Sequence, residues 1–201
     1  MLEIAVLASG SGTNLQAILD QQRHDPDFGA RVVVVISDRP GVPALGRAGA
    51  AGVPFEVIEF GDHSTREAFT KAVCATAEAF GAGAMVMAGF MRILSSEAVE
   101  RFPSRILNIH PALLPAFPGA RAIEDALEYG VKVTGVTVHF VDQDVDHGPV
   151  IAQEIVKVDQ ADTPETLRRR IQEAEHRLYP RVIKAFANGR LRLEGRRVIW
   201  S

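Results

Sequence analysis

Short apolar runs alternate with longer segments suited to amphipathic helices, and this alternation limits the folds that the chain can adopt. Residues 32–36 read Val-Val-Val-Val-Ile, which is typical of a strand buried on both faces of a sheet. Three further runs of this kind are residues 4–8, 55–58 and 84–88. Segments 14–22 and 64–80 lie between the runs and carry apolar residues at helical spacing. Strands that alternate with helices predict β-α-β units on a parallel sheet.

The second half of the chain departs from this pattern. Residues 131–141 and 150–158 are long strand-like segments on either side of an acidic loop, which predicts an antiparallel hairpin. Thr163 and Pro164 mark the start of a long helix. Shorter elements are a strand at 105–109, a helix at 123–129 that Gly130 ends, and a small hairpin around 191–200. The predicted fold class is α/β: a Rossmann-like open, mostly parallel sheet with helices on both faces, extended by an antiparallel hairpin in the C-terminal half.

The composition excludes several classes of protein. The 201 residues are 47% hydrophobic, which suffices for one domain with a substantial core, and no repeat or long linker divides them. Every apolar stretch is far shorter than the roughly 20 residues of a membrane-spanning helix. No signal-peptide pattern follows Met1, so we expect a cytoplasmic protein that does not engage a membrane.

The charged and sulfur-containing residues argue against two kinds of partner. A net charge of −3 offers no broad positive surface for nucleic acid. The consecutive arginines Arg168, Arg169 and Arg170 have acidic neighbours and are interpreted as a solvated helix face. Cys74 is the only cysteine, so it cannot form an intrachain disulfide, and we interpret it as an inert thiol in a helix core.

Residues 8–15 join the first strand to the first helix through the sequence Ala-Ser-Gly-Ser-Gly-Thr-Asn-Leu. Glycines let the backbone approach a ligand, and the free N–H groups of a helix start favour a phosphate. Leu15 stands where a dinucleotide-binding loop has its third glycine, and the lysine of a Walker loop is absent. The pattern therefore indicates one terminal phosphate. The alternative is a tight turn in which Thr13 or Asn14 only caps the helix.

Asn108 and His110 lie two positions apart on a predicted strand, so their side chains point to the same side. Ligands bind at the carboxyl ends of strands in open α/β sheets, and this strand ends at Pro111. An amide donor and an imidazole are therefore expected to meet in a binding crevice. The alternative is structural: Asn108 caps the turn and His110 satisfies a buried backbone carbonyl.

The acidic loop at residues 142–148 contains three carboxylates, and we weighed it as a metal site. An EF-hand loop needs a glycine and a glutamate where His147 and Gln153 stand, which excludes calcium. The histidines are scattered and no zinc-ligand spacing occurs, so we expect no metal. A carboxylate beside an imidazole favours the charged ring. We expect Asp146 to do this for His110.

Glu175 lies on the flank of the apolar stripe of the long helix, where a carboxylate needs a partner. A substrate amine or hydroxyl is one candidate. A salt bridge to a neighbouring arginine is the other.

With these residues in place, the chain resembles a known family nearly from end to end. The opening loop, the stretch Ala-Gly-Phe-Met-Arg-Ile-Leu at 88–94, and the element Asn-x-His-Pro-x-Leu-Leu-Pro at 108–115 with Asp146 downstream carry the resemblance. The segment 137–150 completes it. These motifs are similar to those of the folate-dependent phosphoribosylglycinamide formyltransferases of purine biosynthesis.

The resemblance implies a single formyltransferase domain over residues 1–201, with a phosphate-binding Rossmann-like half at 1–105 and a catalytic and folate-binding half at 106–201. It implies 10-formyltetrahydrofolate as co-substrate, no metal, and a cis peptide at Leu114–Pro115. The residues implied for the phosphate and ribose are Ser11, Gly12, Thr13, Asn14, Leu15, Gln172 and Glu175. Those implied for the folate are Arg66, Met91, Arg92, Ile93, Leu94, Asn108, Asp142, Asp144, Val145 and Asp146. Small molecules are the expected partners, and a monomer or homodimer is expected.

The catalytic residues implied are Asn108, His110 and Asp146. The substrate amine attacks the formyl carbon, Asn108 and a charged His110 stabilise the oxyanion, and Asp146 keeps the histidine charged. One residue departs from the family pattern: Arg121 stands where many members have a histidine near the active site. We expect this change to alter how substrate or oxyanion is assisted.

Other functions remain as alternatives at this point. A methionyl-tRNA formyltransferase needs an additional RNA-binding domain, and a formyltetrahydrofolate hydrolase usually carries an extra N-terminal domain. A nicotinamide-dependent oxidoreductase would explain the glycine loop and Asp38 after the second strand. A non-catalytic nucleotide-binding module is a third possibility, and it predicts that alanine at His110 leaves the ligand bound and changes no rate.

Overall fold

The computed structural model describes residues 1–201 and contains nine strands and six α-helices. The strands are β1 (Leu2–Leu7), β2 (Ala30–Ser37), β3 (Phe55–Val57), β4 (Ala84–Met87), β5 (Ile106–His110), β6 (Val133–Phe140), β7 (Val150–Lys157), β8 (Leu191–Glu194) and β9 (Arg197–Trp200). The helices are α1 (Thr13–His24), α2 (Pro43–Ala50), α3 (Arg66–Ala79), α4 (Ser96–Arg101), α5 (Ala122–Tyr129) and α6 (Pro164–Ala187). A short 3-10 helix spans Phe60–Asp62.

Seven strands form one sheet in the order β3-β2-β1-β4-β5-β6-β7. The pairs among β3, β2, β1, β4 and β5 are parallel, whereas β6 and β7 are antiparallel to their neighbours. β8 and β9 form a separate hairpin. The predicted fold class is therefore confirmed, including the antiparallel extension of the sheet.

The core lies on both faces of the sheet because successive strand residues point in opposite directions. Along β1, Ile4 and Val6 pack on one face and Leu7 packs on the other. Helices α1 and α6 pack together, and the buried residues of both lie in the first of these layers. The apolar stripe of α6 consists of buried residues: Leu167, Ile171, Ala174, Leu178 and Val182.

A buried tyrosine fixes α6 against the part of the sheet that carries the site. The hydroxyl oxygen of Tyr179 lies 2.9 Å from the carbonyl oxygen of Met87 and 3.0 Å from that of Leu107. Met87 is the last residue of β4, and Leu107 precedes Asn108 in β5. Helix α6 thus has a defined position relative to Asn108 and His110.

Three further observations complete the fold. No helix is both long and apolar enough to cross a membrane. The Leu114–Pro115 peptide is cis, as the resemblance implied. Cys74 is fully buried, and burial raises the pKa of its thiol to about 11, so the thiol is protonated at neutral pH.

Candidate active site

The structure brings Asn108, His110 and Asp146 together. Asn108 and His110 lie on β5 and point to the same side, as their spacing predicted. Asp146 comes from the loop between β6 and β7, and its Oδ2 lies 3.3 Å from Nδ1 of His110. Nδ2 of Asn108 donates to the other carboxylate oxygen at 3.4 Å. The three groups therefore face one another at the carboxyl end of β5.

His139 belongs to the same cluster, although the sequence alone predicted no role for it. It lies opposite Asn108 in the antiparallel register of β5 and β6 and is 2% exposed. Its Nδ1 lies 2.8 Å from the carbonyl of Phe140 and donates to it, which leaves Nε2 as an acceptor. Nδ2 of Asn108 lies 3.1 Å from that Nε2. Because Nε2 of His139 accepts, the NH2 group of the Asn108 amide, and not its oxygen, faces the cluster.

His110 contacts acceptors through both ring nitrogens. Nδ1 faces Asp146, and Nε2 lies 2.8 Å from the carbonyl oxygen of Phe117. Both contacts expected for His110 are therefore present. The ring bonds to a backbone carbonyl, as the structural alternative predicted, and it also faces Asp146. Asp146 and Phe117 both have left-handed backbones, with φ of 51° and 52°. Such strain in residues other than glycine is typical of functional sites.

Asp146 raises the pKa of His110, as expected, but this influence is not the largest one on the ring. Burial lowers the pKa of His110 below its ordinary value, and this effect outweighs the opposing influence of Asp146 and the Phe117 carbonyl. For Asp146, burial acts to raise the pKa, but the neighbouring His139 ring, the hydrogen bond from the Gly119 N–H and the His110 ring together bring it below the usual range. The resting pair is therefore a carboxylate beside a mainly neutral imidazole.

A first cavity, with a volume of about 260 Å³, lies over the start of α1. Six of the residues implied for phosphate and ribose line it: Ser11, Gly12, Thr13, Asn14, Gln172 and Glu175. Leu15 does not, because its side chain is fully buried in the core. Gly12 is the N-cap of α1, with φ of 70° and no side-chain cap. The alternative that Thr13 or Asn14 caps this helix is wrong, and no side chain occupies the free N–H groups.

Glu175 is buried in this cavity with one polar partner. It is 8% exposed, and its Oε2 accepts a hydrogen bond of 2.9 Å from Nδ2 of Asn14. Burial raises the pKa of Glu175, while the bond from Asn14 opposes the shift. The alternative of a salt bridge to an arginine is wrong. Oδ1 of Asn14 is buried without a hydrogen-bond partner, so a donor from a ligand could bind there.

A second cavity, of about 320 Å³, lies beside the carboxyl ends of β4 and β5 and under the loop after β6. Nine of the residues implied for folate line it: Met91, Arg92, Ile93, Leu94, Asn108, Asp142, Asp144, Val145 and Asp146. His110 and His139 line it too. Arg66 does not line either cavity; it is exposed at the first turn of α3, near Glu67. The structure thus does not bring Arg66 to the site.

Arg92 is held at the wall of the second cavity by a buried carboxylate. Its Nε donates to Oδ2 of Asp38 at 2.7 Å, and its guanidinium lies 4.9 Å from the centre of the Phe60 ring. Asp38 has no exposed side-chain surface. This is the acidic residue that a nicotinamide-dependent enzyme would use for a ribose hydroxyl, and here it binds Arg92 instead.

The two cavities have a common wall. Gly89, Met91, Ile109 and Pro111 line both of them. Asn108 and His110 flank Ile109 in β5, so the polar cluster lies next to this wall. A group that reaches past the wall from the first cavity therefore approaches the cluster.

Arg121, the departure from the family pattern, lines neither cavity. It is exposed and bonds to Glu128 at 2.7 Å and Asp125 at 3.4 Å, both on α5.

The carboxylates of the 142–148 loop are engaged locally, since Asp142 accepts from His147 and from the Asp144 N–H. No group of three or more His, Cys, Asp or Glu side chains is arranged to hold a metal ion.

Comparison with known proteins decides the family. The model of the formyl transferase family matches residues 2–183. A phosphoribosylglycinamide formyltransferase from Mycobacterium tuberculosis is 45% identical, over 96% of this chain and 88% of the relative. The chain belongs to the phosphoribosylglycinamide formyltransferase family.

Other relatives agree with this family membership. Glycinamide ribonucleotide transformylase 1 from Symbiobacterium toebii has a solved structure with a TM-score of 0.97 and 52% identity, covering 100% of this chain and 94% of that one. The trifunctional purine biosynthetic protein adenosine-3 of Bos taurus is 46% identical over 98% of this chain. The chain spans 20% of the length of that trifunctional relative.

Proposed function

We propose that this member of the family transfers a formyl group from 10-formyltetrahydrofolate to the amine of 5-phosphoribosylglycinamide, in de novo purine (IMP) biosynthesis. The observation that carries the proposal is the wall shared by the two cavities, which lies beside the polar cluster of β5. One cavity fits a phosphate, and the other has the apolar lining that a folate ring system needs. The reacting amine and the formyl carbon would meet at the wall.

The first cavity would bind the phosphoribosyl part of the substrate. The free N–H groups at the start of α1 favour an anion. Glu175 and Gln172 lie further along the same cavity, where they can bind ribose hydroxyls and the glycinamide end. This placement directs the amine of the substrate toward Ile109 and the shared wall.

Asn108 is the donor for the oxyanion that forms when the amine attacks the formyl carbon. One of its N–H groups is held by His139 at 3.1 Å, while the other makes only a long contact of 3.4 Å with Asp146. Because the amide is planar, the bond to His139 also fixes the direction of the second N–H, which is then available to the developing negative charge. Donors that are fixed before the reaction stabilise such charge most effectively.

His110 would move the proton. Its lowered pKa makes the resting ring mainly neutral, so it can accept the proton that the attacking amine loses. Nε2 keeps its proton for the Phe117 carbonyl, so Nδ1 is the nitrogen that takes up the proton, and Asp146 at 3.3 Å stabilises the resulting charge. Nδ1 would then pass this proton to N10 of the folate as the C–N10 bond breaks, and the ring would return to its neutral form. The formyl group thus passes directly between the two substrates, and the enzyme forms no covalent intermediate.

The test is incubation of the protein with 10-formyltetrahydrofolate and phosphoribosylglycinamide, with the formylated product followed by mass. We expect product with the native chain, and a loss of about 10²–10³ in turnover for Asn108→Ala. Near-normal turnover of that variant would contradict the assignment. Arg121→His tests the departure from the family pattern, and we expect little change because Arg121 faces solvent. An assay for nicotinamide absorbance changes checks the oxidoreductase alternative, for which Asp38 is already engaged.

A further inference from the structure

Three consecutive arginines on α6 have three different environments. Arg168 lines the first cavity, and its Nη2 donates to Glu124 at 2.8 Å. Arg170 is paired with Asp162 and with Asp159. Arg169 is exposed and has neither an ion pair nor a side-chain hydrogen bond. The expected solvated face therefore describes Arg169, whereas Arg168 reaches a binding cavity.

The first cavity has little positive charge of its own. Its glycine loop, residues 9–14, contains only serine, glycine, threonine and asparagine. Among the residues that line the cavity, the charged ones are Glu175 and Arg168 alone. A phosphate monoester carries a charge of roughly −1.5 to −2 at neutral pH. Backbone N–H groups can bind such an anion, but Arg168 is the one side chain here that can balance its charge.

The position of Arg168 on the helix matches this role. Arg168, Gln172 and Glu175 are spaced i, i+4 and i+7, so they follow one another along one face of α6. Glu175 is the deepest of the three, at 8% exposed, and the Arg168 side chain is 49% exposed at the mouth. Only Nη2 of Arg168 has a protein partner, so Nε and Nη1 are free to donate. A guanidinium with free N–H groups is suited to binding phosphate oxygens in pairs.

We propose that Arg168 binds the substrate phosphate from the mouth of the first cavity, opposite the N–H groups of the glycine loop. Glu124 holds the guanidinium at the cavity while the site is empty. The inference rests on the proposed function, since it names a further binding residue for the same substrate.

The test compares Arg168→Gln with Arg169→Gln, which removes the same charge one position along the helix. Binding of phosphoribosylglycinamide without folate is measured by isothermal titration calorimetry. We expect Arg168→Gln to weaken binding about 10- to 100-fold, the range for loss of a hydrogen bond to a charged group, and Arg169→Gln to match the native chain. Arg168→Lys keeps the charge but loses the planar fork, so we expect it to recover part of the affinity.

A second ligand identifies the phosphate as the contact. The dephosphorylated nucleoside should bind the two glutamine variants equally, because the group that Arg168 contacts is absent. Equal affinity of both variants for the nucleotide would overturn the inference, and so would an equal loss by Arg168→Gln for nucleotide and nucleoside. If the native chain binds the nucleotide but makes no formylated product, the proposed function fails while the Arg168 assignment stands.

Discussion

His110 has two contacts that only its charged form can satisfy together. A neutral imidazole has one N–H, yet both ring nitrogens face acceptors, the Asp146 carboxylate and the Phe117 carbonyl. Burial opposes the charge and lowers the pKa of the ring. The ring is therefore neutral in most resting molecules but surrounded by groups that stabilise it once it takes up a proton. This combination suits a residue that changes charge during the reaction.

The pH dependence of turnover tests this role. Because the neutral ring accepts the proton, activity should fall as pH drops through a pKa that lies below the ordinary histidine value of about 6.5. Asp146 raises that pKa, so Asp146→Asn should move the acid limb to still lower pH and reduce the maximum rate. Asp125→Asn, a surface change on α5, should leave the limb in place. An acid limb that Asp146→Asn does not move, or moves upward, would count against His110 as the proton acceptor.

Glu175 is a residue whose ionisation opposes folding. Its folded-state pKa is raised by burial, so its contribution to stability is full below the unfolded value and is lost as pH rises through the folded pKa. Glu175→Gln removes the buried charge and can still accept from Asn14. We expect this variant to be more stable at pH 7.5 by about 1 kcal/mol, or about 2–4 °C in melting temperature.

The same variant should lose its advantage in acid. Near pH 4.5 the native carboxyl is itself protonated, so the difference in melting temperature should shrink toward zero. Thermal unfolding at the two pH values measures both effects. A Gln variant that melts below the native chain at pH 7.5 would show that the Glu175 charge is stabilising.

At the scale of elements, α2 supports the glycine loop from behind. The Ala44 N–H donates to the Gly10 carbonyl at 3.1 Å, and Nε of Arg47 donates to the Ser11 carbonyl at 2.9 Å. Both carbonyls are thus engaged by α2. At Gly12, a Cβ atom would lie 2.7 Å from the Cα of Ala44. The loop and α2 are in direct contact, so the position of one sets the position of the other.

Gly12→Ala tests this contact. The residue has φ of 70° and faces the backbone of α2, so both strain and overlap oppose a side chain. We expect a loss of about 2 kcal/mol in the free energy of unfolding. The KM for phosphoribosylglycinamide should rise above its native value by a larger factor than the KM for the folate does. Gly46→Ala is the matched control within α2, since that position has no positive φ and open space around it. It should stabilise the protein by up to about 1 kcal/mol.

Local sequence patterns predicted the helices and strands well, but they did not predict which side chains of different elements contact one another. The alternation of strand residues placed Asn108 and His110 on one side, and this depends on a single strand. His139 joins them only through the antiparallel register of β5 and β6, which periodicity does not reveal. The one signal in the sequence for His139 was its position within the motif 137–150, two residues after Thr137 on the same strand.

The burial and direction of side chains were the parts of the site that the sequence did not reveal. The apolar side chain of Leu15 turns into the core, so the phosphate contact assigned to this residue stays a prediction for its backbone N–H. The charge of His110 was inferred from Asp146 alone, whereas the depth of the ring decides its pKa. Arg66 lies outside the cavities, and how a long side chain is directed across a surface does not follow from sequence position.

The whole molecule is organised around one sheet with the reacting groups at its centre. β4 and β5 end at the shared wall, and α6 crosses beside them, held by Tyr179. The terminal hairpin lies against the last strand of the sheet, where Nε1 of Trp200 donates to the Ile151 carbonyl at 3.0 Å. Arg196 of that hairpin donates to the His147 carbonyl at 2.5 Å, so the hairpin also contacts the loop that carries Asp146.

The wall of four residues between the cavities has a kinetic consequence. The cavities share only these four lining residues, so a ligand in one leaves most of the lining of the other uncovered. Either substrate can enter first, and double-reciprocal plots at varied concentrations of both should give intersecting lines. Parallel lines would instead indicate a formyl group held by the enzyme. A single compound that occupies both sides, tethered across Ile109, should exceed the affinity of its separate halves, because the second half binds at high effective concentration.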